Sequence, residues 1–469
     1  MCLLLLSAAG CTQPAATITS PGHTIFDNGG ATLTLTSPEG SFTWTATDIN
    51  GMPVGNGSVT SSPGSLTLPA VGPGWYGLSM KAPSGATLSS AFSVVANAGT
   101  PNTATPNPFG SNMHPQTPLT DAIATAEIGA IGAGGLASMR IDVRWELVEK
   151  TQGVFTWYPP AEKQIPALLS AGIRPLIVLG YANPLYDWGR TPSTPAGIAA
   201  YAAYAAAVAQ HYGPNVDYAV FNEFNVASTN NSACGITADC YYALLGPTAT
   251  AIRAAAPGAR VVGPSLGGFT QDWIGTAPTA YTWLKRLLDL GGLAYVDAVD
   301  IHNYTWPVVA PPEGNNEAVI TAVRSLMASY SGGASKPLWL TETGWPTFPN
   351  VVNELTEAQY VVRDAALALR AGIAQYMFYD VMDDCADAGN SNGQCHFGLL
   401  RHPDVSGGAV VPKPAFTAYA VVARKLAGYS YAGSDNWGSG VYALAFASGG
   451  ATRRVAWAPA GNVTLALQS

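Results

Sequence analysis

The sequence predicts an α/β protein built on a (β/α)8 barrel, with a β-sandwich before the barrel and a short β segment after it. Three observations predict this. Between residues 110 and 427, eight short apolar runs alternate with eight longer, Ala-rich runs. The short runs are apolar enough to be buried on both faces, which suits a closed parallel barrel better than an open sheet. Residues 17–98, by contrast, alternate with period two and break at Gly, Pro, Asn or Ser, the pattern of antiparallel strands.

The elements follow in order. Residues 1–16 carry the run Leu3-Leu4-Leu5-Leu6, then Ser7-Ala8-Ala9-Gly10 and Cys11. This stretch is too short to span a bilayer and resembles a bacterial lipoprotein signal cleaved ahead of a lipidated Cys11, although it lacks a basic leader and has Ala8 where Leu is usual. The expectation is an exported protein, lipid-anchored to the bacterial envelope through Cys11 or otherwise secreted. Residues 17–98 form an Ig-like sandwich, with runs at 31–36, 42–46 and 75–80; it serves either to bind carbohydrate or to space the barrel from the membrane. Residues 99–109, rich in Pro, Asn and Thr, read as a linker.

Barrel strands are expected near 110–113, 138–143, 174–179, 218–222, 261–264, 298–302, 338–342 and 375–379. Helices are expected at 119–131, 160–171, 195–212, 239–256, 280–290, 316–330, 357–371 and 413–426. Residues 428–469 return to strands, too few for a robust independent sheet, so they should pack on the barrel or join strands from elsewhere.

Composition narrows the partners. Of 469 residues 48% are apolar and 11% charged, which fits a packed globular chain, and the net charge of -8 with only 21 Lys and Arg argues against nucleic acid. A neutral partner such as sugar fits better; a monomer is expected, touching a membrane only through the Cys11 anchor. Cys234 with Cys240, and Cys385 with Cys395, stand at short intervals in loops, which favours disulfides in an oxidising compartment over a metal site. No cofactor or metal is expected.

In such a barrel chemistry lies at the carboxyl ends of the strands. The fourth strand ends Phe221-Asn222-Glu223-Phe224 and the seventh ends Leu340-Thr341-Glu342-Thr343, so each places one carboxylate where an apolar strand meets its loop. Four strands span half the circle, so the two ends face one another. Two carboxylates across a sugar can split its glycosidic bond; their separation decides between retention, at about 5–5.5 Å, and inversion, where a water fits between them. The aromatic residues Trp145, Tyr181, Tyr186, Trp188, Trp306 and Trp345 fall in or near the same loops and could stack on pyranose rings or fill the core.

Asn222-Glu223 after strand four and Glu342 after strand seven resemble the signature of the large clan of retaining (β/α)8 glycoside hydrolases that includes families 1, 5, 10, 17 and 39. The segments Arg140-Ile141-Asp142-Val143-Arg144-Trp145, Gly153-Val154-Phe155-Thr156-Trp157 and Leu179-Gly180-Tyr181-Ala182-Asn183-Pro184-Leu185-Tyr186 are most similar to family 39 enzymes that cut bacterial exopolysaccharides. The resemblance covers about residues 108–427. It implies an acid/base role for Glu223, a nucleophile role for Glu342, and contact between Asn222 and the sugar 2-hydroxyl. It further implies that Arg140 supports the nucleophile and that His302 and Tyr304 form a His-x-Tyr arrangement with the tyrosine hydroxyl on the nucleophile. Trp345, Tyr181 and Tyr379 are expected to contact substrate. Strand eight departs from the clan in offering Phe378, Tyr379 and Asp380 where a Trp floor is usual. Competing readings are a surface glycan-binding protein without chemistry, and a transglycosylase sharing the covalent intermediate.

Overall fold

The computed structural model of the protein describes residues 16–114, 120–269, 279–305, 310–313, 316–348, 352–386 and 392–460. The signal and anchor positions up to residue 15, and Trp306, lie outside the described residues.

Eight parallel strands close into a barrel. In order they are Phe109–Met113, Ser138–Arg144, Arg174–Gly180, Asp217–Val220, Arg260–Leu266, Ala298–His302, Leu338–Thr343 and Gln375–Phe378. Every residue of the first, fourth, sixth and seventh is buried, the consequence of having a packed interior on one side and helices on the other. Alternate side chains divide between these two environments. Leu176, Val178, Ala219, Val262, Ala298, Trp339 and Met377 form one closed cluster inside the barrel, while Ile177, Leu179, Tyr218 and Val261 join the larger core under the helices. The barrel is therefore a filled cylinder, and its polar inward positions concentrate towards the carboxyl ends.

The intervening helices are Asp121–Gly134, Pro159–Ser170, Pro195–Tyr212, Ala238–Ala255, Ala280–Asp289, Asn316–Ala328, Glu354–Arg370 and Pro414–Leu426. Local chemistry sets their starts. Thr120, Thr194, Thr237, Thr279 and Asn353 each accept a backbone N–H of the first turn through the side chain, a cap worth about 1 kcal/mol. The Asn353 cap explains why the seventh helix begins at Glu354, three residues before the expected start at 357.

Ahead of the barrel, the three-stranded sheet Thr17–Ser20, Thr32–Thr36 and Gly64–Thr67 faces a five-stranded sheet ordered Ile25–Phe26, Thr87–Val94, Gly74–Lys81, Phe42–Asp48, Pro53–Val59. Leu33, Leu35, Phe42, Leu78, Met80 and Phe92 fill the space between them, and Ala409 and Val411 from the barrel's last loop enter the same core. The Trp75 indole donates to Pro412 O at 2.9 Å. Sharing side chains this way fixes the sandwich to the barrel, since each fully buried Leu or Phe contributes roughly 1.5–3 kcal/mol. The stretch at 99–109 also lies against the barrel: Asn102 Nδ2 donates to Gly135 O at 3.1 Å and Asn107 Nδ2 to the same oxygen at 3.0 Å.

The final strands, Ser430–Ser434, Tyr442–Ser448 and Ala451–Trp457, make a three-stranded antiparallel sheet of their own, yet Leu444 and Phe446 belong to the barrel's core. Both disulfides expected from spacing are formed, Cys234–Cys240 and Cys385–Cys395, with Cα atoms 5.9 and 5.2 Å apart. Among the described residues no helix is long and apolar enough to cross a membrane.

Candidate active site

Register brings the inward polar residues together. Asn112 pairs with Arg140 across the first two strands, and His302 pairs with Glu342 across the sixth and seventh. The Arg140 guanidinium is the hub: Nη1 donates to Glu342 Oε1 at 2.6 Å and to Asn112 Oδ1 at 3.3 Å, and Nη2 donates to Asn222 Oδ1 at 2.5 Å. Because the guanidinium only donates, it takes the Asn222 oxygen and leaves the carboxamide nitrogen free to face a ligand. Asn112 is itself held by donating to Thr341 O at 3.0 Å.

Glu342 completes its coordination through Tyr304, whose hydroxyl donates to Oε2 at 2.9 Å. Burial pushes this carboxyl up, but His302 and Arg140, then the Tyr304 hydrogen bond, outweigh it and hold Glu342 below the usual carboxylate range. Glu342 is thus biased towards its ionised form although most of its surface is buried. His302, fully buried, presents Nδ1 to Glu223 Oε1 at 2.9 Å and to Glu342 Oε1 at 3.5 Å. Burial lowers its affinity for a proton, yet Glu342 and the Glu223 hydrogen bond together raise the imidazole above its ordinary value. Two residues earlier, Asp300 accepts from Ser265 Oγ and Thr341 Oγ1, each at 2.6 Å, which braces the strand carrying His302.

Glu223 sits on a sharp turn. Phe221 and Glu223 both have left-handed backbone, with φ of 68° and 46°, a conformation costing of order 1 kcal/mol or more for side-chain-bearing residues. Hydrogen bonds hold it: Glu223 N donates to Ser265 O at 3.0 Å, while Thr229 Oγ1 donates to Glu223 O at 2.7 Å. Strain retained at the end of an otherwise regular strand is characteristic of a positioned functional group.

One carboxylate oxygen of Glu223, one of Glu342 and a ring nitrogen of His302 lie within 4.8 Å of one another. These atoms could ligate a cation, but the His302 nitrogen already pairs with both carboxylates, and Arg140 at 2.6 Å already supplies Glu342 with positive charge. Both glutamates line a cavity of about 690 Å³ with Thr229, Tyr304, Phe348 and Tyr379 in its walls, a size suited to a small ligand or one sugar unit of a chain. A hollow of about 750 Å³ between sandwich, last helix and C-terminal sheet has Trp75, Val421 and Val455 in its lining but no carboxylate, so it offers no comparable chemistry.

The aromatic residues divide. Tyr379 lines the cavity, with its hydroxyl clamped between His114 Nε2 at 3.0 Å and Gln394 Nε2 at 2.9 Å. Tyr181 stands beside the charged groups, edge-on to Phe221. Trp345, expected at the substrate, is instead buried; its indole N–H donates to Ala310 O at 3.0 Å and its ring meets Tyr360, because an indole so satisfied packs at no polar cost. Trp145 is likewise core, stacked on Tyr186 and donating to Glu149 Oε2, whereas Trp188 is 86% exposed. Sequence reasoning missed Asn112, His114, Asp300 and Gln394. Asn112 and Asp300 carried a signal, being polar residues inside apolar strands; Gln394 lies in a long loop and carried none.

The barrel is closed, and the two glutamates at the ends of its fourth and seventh strands line one cavity. Residues 188–394 match the family described as glycosyl hydrolase catalytic core, and the protein is a glycoside hydrolase. A family 39 glycoside hydrolase from the gut symbiont Bacteroides cellulosilyticus WH2 has a similar structure, with a TM-score of 0.77, 22% identity, and coverage of 95% of this chain and 90% of that one. The GH39 enzyme from Xanthomonas axonopodis pv. citri gives 0.54 at 18% identity over 72% and 71% of the two chains. A monomeric β-xylosidase from Caulobacter crescentus CB15 gives 0.53 at 19% over 72% of each. At these identities the likeness is one of fold. No curated protein sequence matches the chain.

Proposed function

We propose that the protein is a retaining β-glycoside hydrolase acting on a polysaccharide or oligosaccharide by double displacement. The observation that carries the reading is the proximity of the two carboxylates, with an oxygen of each inside 4.8 Å. A separation bounded at 4.8 Å sits with the closely spaced carboxyls of retaining pairs, about 5–5.5 Å, rather than with the wider gap of inverting ones.

In the first step the Glu342 carboxylate attacks the anomeric carbon while Glu223 delivers its proton to the departing glycosidic oxygen, leaving a glycosyl ester on Glu342. In the second, Glu223 takes a proton from water, the resulting hydroxide attacks the same carbon, and the ester bond breaks to return Glu342 as a carboxylate. Arg140 and Tyr304 support the role of Glu342 by donating to both of its oxygens, which keeps it ionised and aims it. Asn222 offers its carboxamide nitrogen to the sugar 2-hydroxyl, and Tyr379 walls the ring. Export, with attachment through Cys11, belongs to the same reading; the two disulfides favour an oxidising compartment.

The test is a polysaccharide panel scored for new reducing ends. Release by the parent enzyme, lost by more than about 10³-fold in Glu342→Gln with the fold intact, supports the assignment. Binding of glycans without release by the parent contradicts it and favours a non-catalytic glycan-binding protein.

A further inference from the structure

Trp188 is the least economical residue on the barrel's loop face. Its side chain is 86% exposed. Its backbone is left-handed, with φ 58° and ψ 34°, following Asp187 at φ 46°. Such positions ordinarily go to Gly or Asn, since a β-carbon there crowds the backbone. Tryptophan thus costs the fold twice, through strain and through a large apolar ring left in water.

The loop under it is firmly fixed. The Asp187 carboxylate accepts from Ser193 N at 2.6 Å, Thr194 N at 3.0 Å and Thr194 Oγ1 at 2.5 Å. Thr191 N donates to Asn231 Oδ1 at 2.8 Å and Asn231 N to Thr191 Oγ1 at 3.3 Å, tying this loop to the one that carries Glu223 and Thr229. Leu185, 42% exposed, lies in the same loop. Val154, 52% exposed, lies in the preceding βα loop, whose Gly153 N shares Glu149 Oε1 with the Tyr186 hydroxyl. The hydrogen bonds hold Trp188 on an ordered loop tied to the one that follows Glu223, so its flat aromatic face is offered at little ordering cost.

We infer that Trp188 is a stacking platform for a neutral pyranose of the substrate chain, one lying beyond the ring whose bond is broken, so that the enzyme recognises a polymer or long oligomer rather than a simple glycoside. The inference rests on the glycosidase reading above. It predicts affinity that grows with chain length and loses that growth without the ring.

The experiment uses the full chain carrying Glu342→Gln, so that substrate is bound and not turned over. Oligosaccharides of increasing length, taken from whichever polysaccharide the parent hydrolyses, are titrated calorimetrically. Adding Trp188→Ala should weaken binding of the longest by about tenfold and flatten the dependence on length. Trp188→Gly should bind as Trp188→Ala does and melt no lower than the Trp188 protein, because glycine accepts the left-handed backbone. Unchanged length dependence in either variant overturns the platform, as does a sharp fall in melting temperature for Trp188→Gly, which would make the ring a packing element. If the parent hydrolyses no glycan, the glycosidase reading fails first, and the platform with it.

Discussion

A β-carbon on Gly267 would stand 2.3 Å from Glu223 Oε1. The loop after strand five is therefore cut away to admit the carboxylate of strand four, and Asn225 holds the two together by donating to Gly267 O at 2.7 Å and accepting from Gly267 N at 3.2 Å. Glu223 is placed as much by what its neighbour lacks as by what it bonds.

Gly267→Ala should consequently turn the Glu223 side chain away from His302 without unfolding the barrel. The expected outcome is a loss in kcat/KM of about 10²-fold, comparable to misplacing a catalytic group by about an ångström, with circular dichroism and melting temperature nearly unchanged. Full activity in this variant would mean that Glu223 has a second productive position.

Arg140→Met removes the cation beside Glu342 and the donor to Asn222. A buried pair broken on one side costs about 3 kcal/mol in stability. The acid limb of the kcat/KM profile should also move to higher pH, because burial of Glu342 is then opposed only by His302, the Tyr304 hydrogen bond and the more remote His114. An acid limb unmoved by the substitution would show that Glu342 does not govern it.

His302 and Glu342 each tie stability to pH, in opposite directions. The imidazole is raised above its ordinary value near 6.5, so it contributes stability that is complete below that value and is lost as pH climbs through the folded one. The Glu342 carboxyl is lowered from 4.5, so its contribution is present above that value and is lost as pH falls through the folded one. His302→Gln should therefore shrink the alkaline decline in melting temperature and move the acid decline to higher pH, since the imidazole is the first of the groups that hold Glu342 ionised; the buried carboxyls of Glu127 and Asp364, raised to about 8 and about 7, keep part of the alkaline decline. A profile whose alkaline side is identical in both proteins contradicts the proton assigned to His302.

Much of this was legible in the chain. The eight strand-helix units could be read because strands buried on both faces leave continuous apolar runs, and Glu223 and Glu342 stood out as carboxylates at the ends of two such runs. Arg140, Asn222, His302 and Tyr304 came through family resemblance; in the structure Arg140, His302 and Tyr304 bond the glutamates and Asn222 bonds Arg140. What position along a strand does not encode is the direction taken by a loop side chain. Trp345 and Trp188 both follow barrel strands, yet one turns in to donate to Ala310 O and the other stays in solvent. Gly267 matters only through a neighbour 44 positions earlier, a relation that exists once the barrel has closed.

The division of labour between the two glutamates is most directly tested by adding azide to Glu223→Ala with a glycoside bearing an activated leaving group. The account predicts that turnover is restored and that the glycosyl azide keeps the configuration of the substrate, since azide replaces water on an ester still formed by Glu342. A glycosyl azide of inverted configuration would contradict it, because azide would then be standing in for the nucleophile itself.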